Sequence, residues 1–337
     1  MDIKTAISKV IEGKSLSFEE MTQVATEIME GNTTDAQIGA LLVALHLKGE
    51  TVDEITGFAR AMRSKVTKIP CQKNRLVDTC GTGGDKSGTF NVSTVSAFVA
   101  SGAGCRVAKH GNRSITSQCG SADLFKALNV NVEIPAEKMG ECIDQNGIGF
   151  LFAPLLHPAM KYAIGPRREI GVRTIFNILG PLTNPAGAKR QLMGVFQNSL
   201  TVTLASVLQQ LGSEHVMVVH GEDGLDEITI TGKTYISESR NGEIRNYTIS
   251  PEDFGLKSAS LNDIKGGSPE DNVRIAQEIL SGKEGAPLDI VSLNAGAVIY
   301  VAGKADSIQD GIVMARESIQ SGAAMRKLEA LQEMTNL

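Results

Sequence analysis

The pattern of the chain changes at Ile69-Pro70, and that change constrains the fold more than any other feature. Before it, every periodic segment is helical. Ser17 to Glu20, Thr34 to Gln37 and Thr51 to Glu54 each fit a capping box, in which a hydroxyl and a later side chain satisfy free N–H groups at a helix start. Apolar residues at helical spacing follow, such as Met21, Val24, Ala25 and Ile28, then Ile55, Phe58, Ala59 and Met62. After Pro70, short β-like runs ("RLV", "CRVA", "NVEI", "GFLF") alternate with helical ones that start near Thr94, after Ser121 and in "AEKMGECIDQ". Such alternation predicts a parallel sheet with helical crossovers. A helix-rich stretch from His157 to about Leu182 separates this series from a second one, which begins near Met193 and contains the buried strand "HVMVV". In "EITITGKTYISESRNGEIRNYTI", Asn241-Gly242 marks a hairpin turn between alternating strands. Ser268-Pro269 opens a helix that Gly282 closes, and two further helices are expected after it. The expected class is α/β. A small N-terminal helical domain (1–70, completed by helices from about 157–190) accompanies a larger α/β domain with a mainly parallel central sheet (71–156 and 191–337).

Composition excludes some functions. No apolar run approaches the ~20 residues that span a bilayer, and "MDIKTAISKVIEGKS" lacks the apolar core of a signal peptide. The five cysteines are odd in number and form no CxxC pair, so reduced thiols in a cytoplasmic protein are expected. A net charge of -5 argues against a broad nucleic-acid surface.

Four loops carry the chemistry. "RLVDTCGTGGDKSGTFNVST" (75–94) places a glycine-rich turn between a strand and a helix, where converging N–H groups favour an anion. It matches neither common nucleotide loop: Lys86 follows Asp85, so G-x-x-x-x-G-K-[ST] fails, and G-x-G-x-x-G is absent. Asp85 beside a phosphate requires a cation; a mere tight turn is the competing reading. "NVST" (91–94) supplies an amide and two hydroxyls at the next helix start, where a plain N-cap is the alternative. "AKHGNRSITSQCGSAD" (108–123) adds Lys109, His110, Asn112 and Arg113 with several hydroxyls at a successive strand end, on the edge where α/β sheets bind ligands. His110 reads as a neutral hydrogen-bonding residue and not as a base. In "HGEDGLDEIT" (220–229), Asp226-Glu227 is either a Mg²⁺ site or ordinary surface charge, while His215 and His220 lack the company zinc needs. Finally, "FAPLLHPAMKYAIGPRREIGVRTIFNILGPLTNPAG" (152–187) holds His157, Arg167, Arg168 and Arg173 among apolar residues. An arginine there suits a bidentate carboxylate ligand, or equally an ion pair with Glu169.

Taken in order and spacing, "DTCGTGGD", "NVST", "KHGNR", "RREIGVRTIFNILGPLTNPA" and "HGEDGLDEIT" resemble the anthranilate phosphoribosyltransferase family nearly end to end. Cys119 departs from it, since the family more often has serine there. The resemblance implies transfer of phosphoribose from 5-phosphoribosyl diphosphate to the amine of anthranilate, in tryptophan biosynthesis. It also implies a homodimer joined through the helical domain and magnesium, two ions per protomer. Carried onto this chain, the donor-binding residues would be Gly81, Gly84, Asp85, Thr89, Asn91, Val92, Ser93, Thr94, Lys109, His110, Gly111, Asn112, Arg113, Ser117 and Ser121. Gly81, Asn112 and Arg167 would bind anthranilate, and Ser93, Asp226 and Glu227 would hold metal. No acid or base is required, because the aromatic amine is already a free nucleophile and diphosphate leaves once Mg²⁺ neutralises it. Two other readings stay open. One is an enzyme like the pyrimidine nucleoside phosphorylases, which the acidic pair suits less well. The other is a nucleic-acid-binding relative without activity.

Overall fold

In the computed structural model, residues 1–85, 87–114 and 118–337 are described. The chain opens with four helices, α1 (Ile3–Ile11), α2 (Phe18–Glu30), α3 (Asp35–Lys48) and α4 (Val52–Lys65). All three expected capping boxes are formed, at Ser17, Thr34 and Thr51. The Glu54 carboxylate also accepts from the Leu16 N–H at 2.9 Å and pairs with Lys48, so one box fastens the α1–α2 turn to α4.

The second region begins with β1 (Leu76–Gly81), α5 (Val92–Gly102), β2 (Arg106–Gly111), α6 (Ser121–Ala127), α7 (Ala136–Glu141, continued by a wider turn Cys142–Asn146) and β3 (Ile148–Phe152). A helical excursion follows, with α8 (Ala153–Leu156), α9 (Lys161–Ile170) and α10 (Phe176–Leu179). The sheet then resumes with β4 (Arg190–Gly194), α11 (Leu200–Gln210), β5 (His215–Gly221), β6 (Thr234–Arg240) and β7 (Glu243–Ile249). The chain closes with α12 (Pro269–Leu280), α13 (Ala286–Val301), α14 (Ile308–Gln320) and α15 (Ala323–Asn336).

One seven-stranded sheet runs in the order β3-β2-β1-β4-β5-β6-β7. Its first five strands are parallel, and β6 and β7 form the hairpin at Asn241-Gly242, both with positive φ as that tight turn requires. Strand order reverses between β1 and β4, which makes their carboxyl ends the crevice where open α/β sheets take ligands. One face carries α5, α6 and α12–α15. The other face of β4 and β5 shares a core with α11, the N-terminal helices and Ile175 to Leu182. Arg63 of α4 donates to the Leu182 carbonyl at 2.6 Å and the Leu211 carbonyl at 3.3 Å, clamping the bundle onto two helix ends. Among the described residues no helix is long and apolar enough to cross a membrane.

Three expectations are corrected. The "NVEI" run is not a strand: Val130 and Val132 are buried in alternation, but the Asn131 N–H donates to the Thr335 hydroxyl of α15 and finds no neighbouring strand. "EITIT" likewise stays outside the sheet. Three helices, not two, follow α12, because Gly322 takes positive φ and divides α14 from α15.

Candidate active site

Gly81 ends β1 and Gly194 ends the neighbouring β4, paired in register at the switch point. The Asp226 segment lies directly over both. A Cβ on Gly81 would overlap the Asp226 carboxylate, and one on Gly194 would overlap its carbonyl. These glycines are therefore the floor on which the acidic loop rests. The Gly83 N–H donates to Asp226 Oδ2 at 2.7 Å, and the Ser93 N–H to Glu227 Oε1 at 3.1 Å. The first tie joins the glycine loop to the acidic loop, and the second joins the acidic loop to the first turn of α5.

Lys109 on β2 enters from beneath. It is 1% exposed and donates to the Thr79 carbonyl at 2.7 Å and to Ser93 Oγ at 3.2 Å. Asp78, fully buried on β1, accepts from the His110 N–H at 3.1 Å and from Asn184 Nδ2 at 2.8 Å. Burial pushes Asp78 up to about 6, against the opposing pull of Asn184 and Lys109. Burial, then the Asp85 carboxylate, pushes Asp226 up to about 7. Burial, then Asp226, pushes Glu227 up to about 8. Burial draws Lys109 down, opposed by Asp78, Cys80 and Glu227. A cluster of carboxylates held this far from water and this close together favours a cation. Two polar atoms at the start of α5, Asn91 Oδ1 and Thr94 Oγ1, are buried and have no hydrogen-bond partner among the described residues. Buried polar atoms are normally satisfied, so both are suited to a ligand. An oxygen-lined acidic group next to unfilled polar atoms fits magnesium with a phosphate-bearing substrate.

The remaining sequence-derived residues divide clearly. Asp85 accepts from Ser87 Oγ at 2.6 Å, and Thr89 bridges to Lys265. Asn91 occupies the N-cap position of α5, gives no side-chain cap, and donates from Nδ2 to the Cys119 carbonyl at 3.1 Å. Gly111 ends β2 beneath Ser121, whose hydroxyl donates to the Asn112 carbonyl at 3.2 Å. Val92 stands apart, since its side chain is in the sheet core and its N–H donates to the Phe90 carbonyl at 2.7 Å. Arg113 points to the rim, pairing with Glu133 at 3.0 Å over the Phe152 ring. Ser117 lies outside the described residues.

His110 meets His157 with Nε2 atoms 3.0 Å apart. Burial, then His157, draws His110 down to about 3, and burial draws His157 to about 4, so both rings are neutral at physiological pH. Arg167 of α9 lies half-buried with its guanidinium 4.8 Å from the Phe176 ring centre. It forms no ion pair among the described residues, Glu169 included, while Arg168 is exposed. Arg173 reaches across to donate to the Gly84 carbonyl and covers Phe196 at 4.2 Å. Asp78 and Asn184 join the site beyond the residues its loop motifs point to. The signal was present, because an aspartate inside the apolar strand "LVDTCG" must have buried donors.

A helical bundle beside a largely parallel sheet, with an anion- and cation-ready crevice at the switch point, defines a glycosyl transferase architecture. The sequence accordingly matches the "Glycosyl transferase family, helical bundle domain" over residues 4–66 and the "Glycosyl transferase family, a/b domain" over residues 73–325. It is 54% identical over 333 residues to an anthranilate phosphoribosyltransferase of Persephonella marina, covering 98% of each chain. A counterpart in Moorella thermoacetica is also 54% identical, over 98% of this chain and 97% of its own. The crystal structure of anthranilate phosphoribosyltransferase from Thermus thermophilus superposes with a TM-score of 0.94 at 44% identity, covering 98% of this chain and 99% of that one. The Saccharomyces cerevisiae enzyme in complex with PRPP and Mg gives 0.89 at 27% identity, over 99% and 98%. The chain belongs to the anthranilate phosphoribosyltransferase family, as its motifs implied.

Proposed function

We propose that the protein transfers the phosphoribosyl group of 5-phosphoribosyl diphosphate to the amine of anthranilate, giving N-(5-phosphoribosyl)anthranilate and diphosphate. This is a step of tryptophan biosynthesis. The observation that carries the reading is the carboxylate pair at the switch point of the sheet, Asp226 buried and Glu227 half-buried, near a first turn of α5 where Asn91 Oδ1 and Thr94 Oγ1 have no partner among the described residues. Such a group suits a magnesium–diphosphate donor better than free phosphate.

The residues then take the following parts. Gly81, Gly84, Asp85, Thr89, Asn91, Thr94, Lys109, Gly111, Asn112 and Ser121 surround the donor, with Ser117 assigned from the family pattern alone. Asp226, Glu227 and the Ser93 hydroxyl would hold magnesium, two ions per protomer, and bound magnesium would neutralise the leaving diphosphate. Arg167, with Gly81 and Asn112, receives the anthranilate carboxylate, for which a guanidinium with no acidic partner among the described residues is suited. The C1–O bond to diphosphate breaks as the amine nitrogen bonds to C1, and the nitrogen then releases one of its protons to the departing diphosphate or to water. No side chain need move a proton to make the nucleophile, and the neutral pair His110–His157 supports that. Catalysis is positioning and electrostatics.

In the same reading, residues 157–190 complete the helical domain of 1–70, and two copies pair through it. The exposed Ile11 and Leu47 on that domain support the pairing. None of the five cysteines forms a disulfide among the described residues, which suits a reducing cytoplasm. The test is a product assay with anthranilate, 5-phosphoribosyl diphosphate and Mg²⁺. Formation of N-(5-phosphoribosyl)anthranilate with stoichiometric diphosphate is expected. Absence of both, with phosphorolysis of pyrimidine nucleosides in their place, overturns the reading.

A further inference from the structure

The acidic loop between β5 and β6 pairs with no strand among the described residues, yet its backbone must hold two carboxylates in place. Its inner residues Leu225, Ile228 and Ile230 are fully buried and anchor it to the core. The backbone at Ile228, immediately after Glu227, is met by one side chain from a distant helix. The Ile228 N–H donates to Asn294 Oδ1 at 3.0 Å, and Asn294 Nδ2 donates back to the Ile228 carbonyl at 2.8 Å. Its second amide hydrogen goes to the Ile290 carbonyl at 2.9 Å, so both amide hydrogens and the oxygen are engaged. Asn294 sits in the middle of α13, is completely buried, and is surrounded by apolar residues of that helix. A primary amide at such a place is costly unless it is satisfied, and here its two loop bonds reproduce the pairing a neighbouring strand would have given.

We propose that Asn294 is a positioning residue for the metal-holding carboxylates. By fixing both polar groups of residue 228 it limits where Glu227, one residue earlier, and Asp226, two earlier, present their oxygens. Gly194 defines the loop's position from the sheet side, and Asn294 from the helix side. The inference rests on the reading of Asp226 and Glu227 as metal ligands, and extends it to a residue remote in sequence that touches neither substrate nor metal.

The experiment compares the wild type with Asn294→Leu, which keeps the branched shape and removes both loop bonds, and Asn294→Asp, which keeps the acceptor for the Ile228 N–H. Ser292→Ala is the control, a buried change on the same helix at a hydroxyl with no partner among the described residues. Two quantities are read: calorimetric binding of 5-phosphoribosyl diphosphate at graded Mg²⁺, and amide exchange at residues 226–230. Partners that orient metal ligands typically influence metal affinity about 10–100-fold. Asn294→Leu is expected to raise the Mg²⁺ needed for half-maximal donor binding by roughly ten-fold. It should also speed exchange at 226–230, with Asn294→Asp intermediate and Ser292→Ala unchanged. If Asn294→Leu does not fold, Asn294→Asp alone decides by the same shift in Mg²⁺. An unchanged Mg²⁺ requirement in a folded Asn294 variant overturns the inference, even if its melting temperature falls. If Asp226→Ala/Glu227→Ala also leaves the Mg²⁺ requirement unchanged, the metal reading itself has failed, which is a separate outcome.

Discussion

The two ends of β5 bury carboxylates in opposite ways. At its start, Glu238 on the adjacent β6 meets His215 Nε2 at 2.7 Å and accepts from the Tyr247 hydroxyl at 2.7 Å and the Tyr300 hydroxyl at 2.9 Å. Burial pushes Glu238 up, but His215, Tyr247 and Tyr300 together outweigh it and hold the carboxyl below its ordinary value. Beyond the other end, Asp226 and Glu227 accept from the Gly83 and Ser93 N–H groups, and they face Asp85 and each other. Both are pushed up. The difference lies in the donors supplied. A buried carboxylate given enough of them is part of the scaffold, whereas a crowded carboxylate pair left short favours a positive charge.

Removing the short-supplied pair gives the largest expected effect. Asp226→Ala/Glu227→Ala should raise the Mg²⁺ needed for turnover and slow the reaction, at roughly 1.5–3 kcal/mol for each charged ligand removed. The fold should persist with no loss of melting temperature, because mutual repulsion is also removed. Rates at limiting and saturating Mg²⁺, with thermal melts, check this. Full activity at limiting Mg²⁺ would erase the distinction between the two ends of the strand.

Glu238→Leu is the mirror experiment. It strands two tyrosine hydroxyls and an imidazole, and should lower stability by about 3 kcal/mol, the upper cost of leaving buried donors unpaired. The Mg²⁺ requirement should not move. Urea unfolding and a Mg²⁺ titration decide it, and a changed Mg²⁺ requirement would mean that the two ends of β5 are not independent.

The same logic separates two arginines. Arg167 is half-buried with no acidic partner among the described residues, whereas Arg168, about 100° further round the helix, is exposed. Arg167→Ala should raise the Michaelis constant for anthranilate by roughly 1.5–3 kcal/mol in equivalent free energy. Arg167→Lys should do so by less, since a point charge cannot fork. Arg168→Ala should change neither constant. A rise confined to 5-phosphoribosyl diphosphate would move Arg167 to the donor side.

Much of this was legible before any coordinates. Capping boxes report local backbone needs, so Ser17, Thr34 and Thr51 marked their helices directly. Loops that follow strands in a parallel sheet share an edge, so the glycine loop, Lys109 and Asp226-Glu227 could be grouped from order alone. What stayed hidden depends on contacts across the sheet. Asn184, lying 106 residues from Asp78, and Asn294, lying 66 from Ile228, have no local signature as partners. "NVEI" misled because alternating burial is necessary for a strand but does not supply a neighbour to bond with. Val92 was carried over with its motif, though its apolar side chain faces the core.

The smallest effect concerns His110 and His157, which extend the comparison from acids to bases. Burial, with His157 beside it, outweighs the raising effect of the Gly180 backbone and keeps the His110 ring neutral. Across the 3.0 Å contact one Nε2 carries the proton and donates while the other accepts. The pair is satisfied as two neutral rings, and a proton added to it would break the contact. Both folded values, about 3 and about 4, lie below the ordinary 6.5. The unfolded chain therefore takes up protons as pH falls below 6.5 while the folded chain does not. Stability is present above that value and is lost as pH falls toward the folded values. His157→Gln keeps a side-chain donor for His110 but cannot titrate. Between pH 6.5 and 5.5 the variant should lose about 1 kcal/mol less stability than the wild type. Chemical denaturation at the two pH values measures the difference, with the carboxylate contributions common to both proteins. Equal losses would mean that His157 is protonated in the folded state, and a charge would then sit beside the donor loops where the structure places a neutral pair.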